Sequence, residues 1–186
     1  NSPRGSRRNI AYHYDLGNKF YELWLDPSLT YSSALFDGED MTLEAAQARK
    51  IRRIAATVGL GPGQHVLEIG CGWGAFAVMA ARDYGCRVTA ITVSKAQHDH
   101  AKARAREVGL EDRIDVRLQD YRDVDGAYDR IVSIEMFEAV GQRYWPVYFD
   151  TLRERLNPGR HATLQIITVQ DRRWDVYRRG VDFIQK

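Results

Sequence analysis

The stretch Val66-Leu67-Glu68-Ile69-Gly70-Cys71-Gly72-Trp73-Gly74-Ala75-Phe76 constrains this chain more than any other. Its apolar beginning predicts a buried strand, its three alternating glycines a tight turn, and the residues from Ala75 onward a helix that opens directly after the turn. Glycine has no Cβ to collide with a ligand lying on the turn, and the first N–H groups of the helix have no partner within it. Strand, glycine turn and helix N-terminus in this order form the geometry of a nucleotide-cofactor pocket. A tight turn without a ligand is the plain alternative.

The surrounding pattern supplies the rest of such a fold. Thr42 is placed as an N-cap, and Leu43, Ile51, Ile54, Ala55 and Val58 recur at helical spacing until Gly59, Gly61, Pro62 and Gly63 stop the helix. His65–Ile69 reads as the first strand, 75–84 as a helix ended by Gly85, 87–93 as a second strand, and 94–108 as a helix ended by Gly109. Strands follow over 114–118 and 130–134. Trp145, Tyr148, Phe149, Leu152 and Leu156 share a helical face, Asn157-Pro158-Gly159 reads as its stop, and 162–169 as a fifth strand. Alternation of this kind predicts an α/β chain with a doubly wound, mostly parallel sheet and ligands at the carboxyl ends of its strands. Residues 1–41 form a polar, aromatic N-terminal segment ahead of a core spanning 42–186.

With 186 residues, 44% of them hydrophobic and 28% charged, the chain fits one globular domain. A net charge of +2 gives no field for nucleic acid. The positive charge is concentrated in Arg4, Arg7 and Arg8 and in Arg172, Arg173, Arg178 and Arg179, clusters suited either to solvent or to anionic phospholipid headgroups. Cys71 and Cys86 have neither disulfide-framework nor metal-ligand spacing, so no metal is expected and a reducing cytoplasm is the natural compartment. No apolar stretch approaches the roughly 18 residues of a membrane span, and no signal peptide is visible, so a membrane substrate would be reached from the surface.

The glycine spacing and the strand acid narrow the cofactor. GxGxG after Glu68 matches the first motif of S-adenosylmethionine-dependent methyltransferases better than the GxGxxG of dinucleotide enzymes. The second strand ends in Thr92-Val93-Ser94-Lys95-Ala96-Gln97, without the acid that would grip ribose hydroxyls; Ser94 and Gln97 can bond them instead, although Ser-x-x-Gln is also a capping box. After the third strand, Gln119-Asp120-Tyr121 offers an edge and a face for adenine, or merely a surface turn. After the fourth, Glu135-Met136-Phe137-Glu138 places two acids and an apolar pair where a transferred methyl would lie. Two carboxylates in apolar surroundings are costly unless solvated, paired or used.

At these residues the chain resembles the cyclopropane-fatty-acyl-phospholipid synthase family, which includes the mycolic acid cyclopropane synthases and related fatty-acid methyltransferases. The resemblance rests on His13-Tyr14-Asp15-Leu16-Gly17-Asn18, Leu25-Asp26-Pro27, Tyr31-Ser32-Ser33-Ala34, the 67–74 motif, 92–97, Gln119-Asp120-Tyr121-Arg122 and 133–141. It implies a Rossmann-like class I methyltransferase fold, with Gly70, Gly72 and Gly74 beneath the methionine end of S-adenosyl-L-methionine. It further implies Tyr31 and Ser32 closing over the cofactor, Thr92, Val93 and Gln97 at the ribose, and Gln119, Asp120 and Tyr121 at the adenine; Glu135, in the stretch where the methyl would lie, is a further cofactor-binding candidate. Glu138 matches the glutamate that helps hold a bicarbonate ion beside the methyl. Ser33 stands where many members carry cysteine and Gln165 where they carry histidine; both bond an oxyanion but lack acid-base character.

The implied reaction is methyl transfer to the double bond of an unsaturated phospholipid acyl chain, through a carbocation that loses a proton to give a cyclopropane or a methyl or methylene branch. Bicarbonate held by Glu138 is the base the resemblance suggests, with Glu138 itself as the fallback. Tyr12, Tyr14, Tyr31, Phe137 and Trp145 are candidates to stabilise the cation, each ring contributing roughly 0.5–2 kcal/mol. The resemblance implies peripheral association with the inner membrane face and admits a homodimer. It also implies seven strands where five are counted, so the last strands and a lid over the acyl chain are expected beyond Lys186. A methyltransferase of soluble small molecules, or a catalytically silent module binding cofactor or lipid, are the readings that compete.

Overall fold

The computed structural model describes residues 18–177. The HYDLG residues, Tyr12, Tyr14, Arg4, Arg7, Arg8, Arg178 and Arg179 lie outside that range. A short helix α1 (Asn18–Glu22) and an irregular stretch lead into α2 (Leu43–Val58). There follow β1 (His65–Ile69), α3 (Ala75–Tyr84), β2 (Arg87–Thr92), α4 (Lys95–Glu107), β3 (Ile114–Leu118), β4 (Tyr128–Ile134), α5 (Trp145–Arg155), β5 (Leu156–Gln165) and α6 (Asp171–Tyr177). The five strands make one sheet in the order β3-β2-β1-β4-β5, every pair parallel. The chain winds outward from β1 to β3 and returns to the other side of β1 for β4, so a switch point lies between β1 and β4.

Alternation along the strands sorts the core into two layers. Val66, Val88, Ala90, Ile114, Val116 and Val132 face Ile54 and Val58 of α2, Phe76 and Ala80 of α3, and Ala101 and Ala105 of α4. On the opposite face, Leu67, Ile69, Ile91 and Ile131 meet Val124, Val140, and Tyr148 and Leu152 of α5. The sheet is therefore covered on both sides, which is why β1, β2 and β4 read as nearly continuous apolar runs.

Helix limits follow local chemistry. Thr42 caps α2, its hydroxyl accepting the Ala45 N–H at 3.2 Å, and Gly59 ends it in the left-handed region at φ 68°. Ser94 caps α4 by accepting the Gln97 N–H at 3.3 Å. Two expected boundaries are corrected. β4 starts at Tyr128 rather than residue 130, and β5 starts at Leu156 and ends at Gln165 rather than spanning 162–169. Leu156 pairs with Tyr128 and His161 with Arg130, so Asn157-Pro158-Gly159-Arg160 forms a bulge opposite the single residue Asp129. Turn residues that normally terminate a helix are here accommodated within a strand, where the bulge frees Pro158 from the ladder.

The stretch before α2 is tied to the core by side chains. Gln47 of α2 donates to the carbonyls of Thr30 and Ser32, at 3.1 and 2.8 Å. Arg104 of α4 donates to those of Pro27, Ser28 and Trp73. Trp73, in the glycine turn, is 2% exposed among Tyr21, Leu25 and Leu29, so the turn itself anchors this segment.

Candidate active site

A cleft of about 130 Å³ opens at the carboxyl ends of β1, β2 and β4, beside the switch point. One ordered water needs roughly a tenth of that volume, so the space suits a ligand of many atoms. Ile69, Ile91, Ile134, Met136 and Val140 give it an apolar floor, and the polar groups stand at its rim. Of the residues expected at the cofactor, Tyr31, Gly70, Thr92, Val93, Gln97, Gln119, Asp120, Tyr121 and Glu135 line it. Ser32 and Gly72 line a smaller recess of about 40 Å³ under the glycine turn, which Tyr31 and Gly70 also border.

Each glycine of the turn has a positive φ, and each is approached closely. A Cβ on Gly70 would lie 2.8 Å from Met136 Cγ, and one on Gly72 would lie 3.2 Å from Tyr31 Cε1. Gly74 lines neither space: a Cβ there would stand 3.0 Å from the Cβ of Ala101. Its absence of a side chain serves the packing of α3 on α4.

Glu68, the acid of the strand, is 2% exposed and borders the smaller recess. Burial pushes its pKa well above the ordinary carboxyl value, opposed by a hydrogen bond from the backbone of Ala77. Its Oε2 has no hydrogen-bond partner.

At the end of β2, Thr92 Oγ1 donates to Gln97 Oε1 at 2.9 Å, and Gln97 Nε2 stands 3.4 Å from the Tyr31 hydroxyl. Ser94 caps the helix, while the Gln97 side chain bonds Thr92 rather than returning to the Ser94 N–H, so only the Ser94 half of the capping box forms and Gln97 lines the cleft. Beyond β3, Asp120 is 3% exposed and holds Arg122 through both carboxylate oxygens, at 2.8 and 2.6 Å. The Arg122 guanidinium in turn lies 5.4 Å from the Tyr121 ring and 5.6 Å from that of Tyr144. Gln119 Nε2 donates to the Asp123 carbonyl.

The two carboxylates after β4 part company. Glu138 is exposed, lies outside the cleft lining and accepts the backbone N–H of Ile167. Glu135 has φ 47°, a left-handed conformation unusual for a residue with a side chain, and the residue lines the cleft. Oε1 of Glu135 accepts three hydrogen bonds: from Ser33 N at 3.0 Å, Ser33 Oγ at 2.5 Å and Gln165 Nε2 at 2.7 Å. Gln165 Nε2 also reaches Ser33 Oγ at 3.1 Å. Residues from two separate stretches therefore converge on one carboxylate oxygen of a third.

Lys50, which sequence reasoning missed, stands behind this group. It is 4% exposed on α2, and its Nζ donates to Ser32 Oγ at 2.5 Å. Burial lowers its pKa to about 8, against the attraction of Glu135 and Asp26. A lysine on the apolar face of α2, one turn before Ile54, was the available signal. Phe137 and Trp145, expected near a cation, instead join Tyr148 and Phe149 in an aromatic cluster beneath the cleft, with Phe137 5.4 Å from Trp145 and 5.1 Å from Tyr148.

The family model for mycolic acid cyclopropane synthetase matches residues 1–186. The tuberculostearic acid methyltransferase UfaA1 of Mycobacterium tuberculosis is 43% identical over 190 residues, covering 97% of this chain and 44% of that protein. Among solved structures, the cyclopropane synthase MmaA2 from Mycobacterium tuberculosis superposes with a TM-score of 0.87 at 37% identity, covering 92% of this chain and 60% of that one. The mycolic acid cyclopropane synthase CmaA1, complexed with SAH and CTAB, gives 0.83 at 33% identity, covering 96% and 62%. The chain thus spans less than half the length of the first of these relatives.

Proposed function

The chain belongs to the mycolic acid cyclopropane synthetase family, and from that premise we propose that it carries the cofactor site of an S-adenosylmethionine-dependent C-methyltransferase acting on the double bond of unsaturated fatty acyl chains. The observation that carries this reading is the cleft at the switch point, where Gly70, Thr92, Gln97, Asp120 and Tyr121 gather around an apolar floor.

The residues suit S-adenosylmethionine in kind. The glycine turn admits a close backbone approach, and the neutral Gln97 amide and Tyr31 hydroxyl supply ribose partners without an acid. Tyr121 and Tyr144, held by Arg122, offer flat apolar faces to adenine. When bound, the cofactor supplies an electrophilic methyl group on sulfur. An isolated alkene is a weak nucleophile, so the protein's task is to align the two, keep water out and remove one proton from the resulting cation. Ile69, Ile134, Met136 and Val140 exclude water, and Tyr31 presents a ring at the boundary of both spaces. The acceptor is an acyl chain of a phospholipid, met at the membrane surface; among the described residues no helix is long and apolar enough to cross a membrane.

The test is incubation of the complete gene product with S-adenosylmethionine and vesicles of unsaturated phospholipid, following the mass of the released acyl chains. A gain of one CH2 unit, absent with saturated vesicles, supports the reading. Transfer to soluble acceptors alone contradicts it.

A further inference from the structure

The donors expected around an external bicarbonate are turned to a carboxylate of the protein itself. Ser33 gives both its N–H and its hydroxyl to Glu135 Oε1, and Gln165 gives its amide to the same oxygen. A second anion here would have to displace Glu135 from three hydrogen bonds, or sit unfavourably beside a like charge. Glu138, the remaining member of the expected set, is exposed and engaged by the Ile167 N–H. The residues present do not fit a bicarbonate ion.

We propose that Glu135 is the proton acceptor of the reaction, a built-in carboxylate positioned by Ser33 and Gln165 that makes an external anion unnecessary. The assignment rests on the acyl-methylation reading above. Three features of the site carry it. Glu135 lines the cleft at the carboxyl end of β4, on the switch-point side of the sheet. Its backbone is held at φ 47°, a conformation unfavourable for a non-glycine residue, which the surroundings must therefore maintain. The three donors all act on Oε1, which fixes the direction of the carboxyl group and leaves Oε2 outside the network.

The chemistry balances with no further reactant. The alkene π pair forms the new carbon–carbon bond, the carbon–sulfur pair stays with sulfur, and the neighbouring carbon becomes cationic. One C–H bond then breaks. Its electron pair closes the three-membered ring if the hydrogen was on the new methyl, or forms a new double bond if it was on an adjacent carbon. The proton passes to Glu135 and from there to solvent. The carbocation makes a C–H on the carbon beside it, or on the new methyl one carbon further, acidic enough for an anionic oxygen to remove it, so position rather than basicity decides, and position is what Ser33 and Gln165 supply. Serine and glutamine, poor substitutes for a thiol and an imidazole in acid-base work, are well suited to orienting a carboxylate.

The experiment compares the complete wild-type gene product with Glu135→Gln and Glu135→Gly, in bicarbonate-free buffer and with added bicarbonate or formate, alongside calorimetric titration with S-adenosylhomocysteine. Wild type is expected to turn over equally with and without bicarbonate. Glu135→Gln is expected to lose at least about 100-fold in kcat, the lower range for a removed general base, while binding S-adenosylhomocysteine within twofold of wild type. Glycine suits the positive φ, so Glu135→Gly keeps the fold, and its activity is expected to recover in part when bicarbonate or formate fills the gap. A wild-type rate that depends on bicarbonate overturns the proposal. So does an unimpaired Glu135→Gln, or one whose S-adenosylhomocysteine affinity falls together with its activity, which would return Glu135 to cofactor binding. If wild type yields no acyl product at all, the acyl-methylation reading fails and the proposal falls with it.

Discussion

Replacing Gly74 by alanine tests whether the third glycine of the turn serves helix packing rather than the ligand. Two costs follow from the structure. Gly74 sits at φ 85°, where an L-residue loses about 1–2 kcal/mol. The added Cβ would also stand 3.0 Å from Ala101 Cβ and 3.4 Å from Ala101 Cα, atoms of α4 that cannot swing aside, and overpacking of this kind costs about 1–3 kcal/mol. Together Gly74→Ala should destabilise by about 2–5 kcal/mol, or about 4–20 °C in Tm for a chain of this size. Ala101→Gly alone costs about 1 kcal/mol through helix propensity. In the double variant the methyl–methyl clash disappears while the φ strain remains, so the coupling should return about 1–3 kcal/mol. Urea unfolding of the four proteins measures this cycle. Additive effects, with coupling below about 0.5 kcal/mol, would refute the packing argument.

Two further outcomes follow from buried charges. Arg122→Met leaves Asp120, 3% exposed, without its bidentate partner and should cost about 3 kcal/mol, with Asp120→Asn in the same chain restoring most of it; denaturant midpoints decide. Lys50 has a folded pKa lowered to about 8 from 10.5, so between those values the unfolded chain binds more protons and this group's contribution to stability rises with pH, being level below about 8. The stability difference between wild type and Lys50→Met should therefore shift in favour of wild type across that window, and a pH-independent difference would contradict the assignment.

Most of the sheet was legible because β1, β2 and β4 are buried on both faces and largely apolar, while Thr42, Gly59, Ser94 and Gly85 mark helix ends by local chemistry that tertiary contacts do not override. β5 was misplaced because Asn157-Pro158-Gly159 has the composition of a helix stop, and only pairing with Tyr128 and Arg130 reveals it as a bulge. At the site, the glycine turn and the strand ends identified the cleft, since ligand position in this fold follows from topology. What sequence could not give was side-chain direction. Glu135 and Glu138 are three residues apart and chemically alike, yet a positive φ at the first sends it to Ser33 and Gln165, and the 3-10 turn at Phe137–Ala139 leaves the second on the surface. Lys50 was hidden for a related reason, as its partner Ser32 lies 18 residues away in an irregular segment.

The central claim, methyl transfer to an acyl double bond with loss of a proton, is tested most directly by supplying S-adenosylmethionine with a fully deuterated methyl group and unsaturated phospholipid vesicles. Mass analysis of the acyl chains then counts the deuterium retained. The account predicts labelled acyl chains carrying two deuteriums if the new methyl gives up its hydrogen, as in ring closure or a methylene branch, or three if a chain carbon gives it up, with Glu135→Gln suppressing each product. Acyl chains that remain unlabelled while the complete protein binds S-adenosylhomocysteine would contradict it.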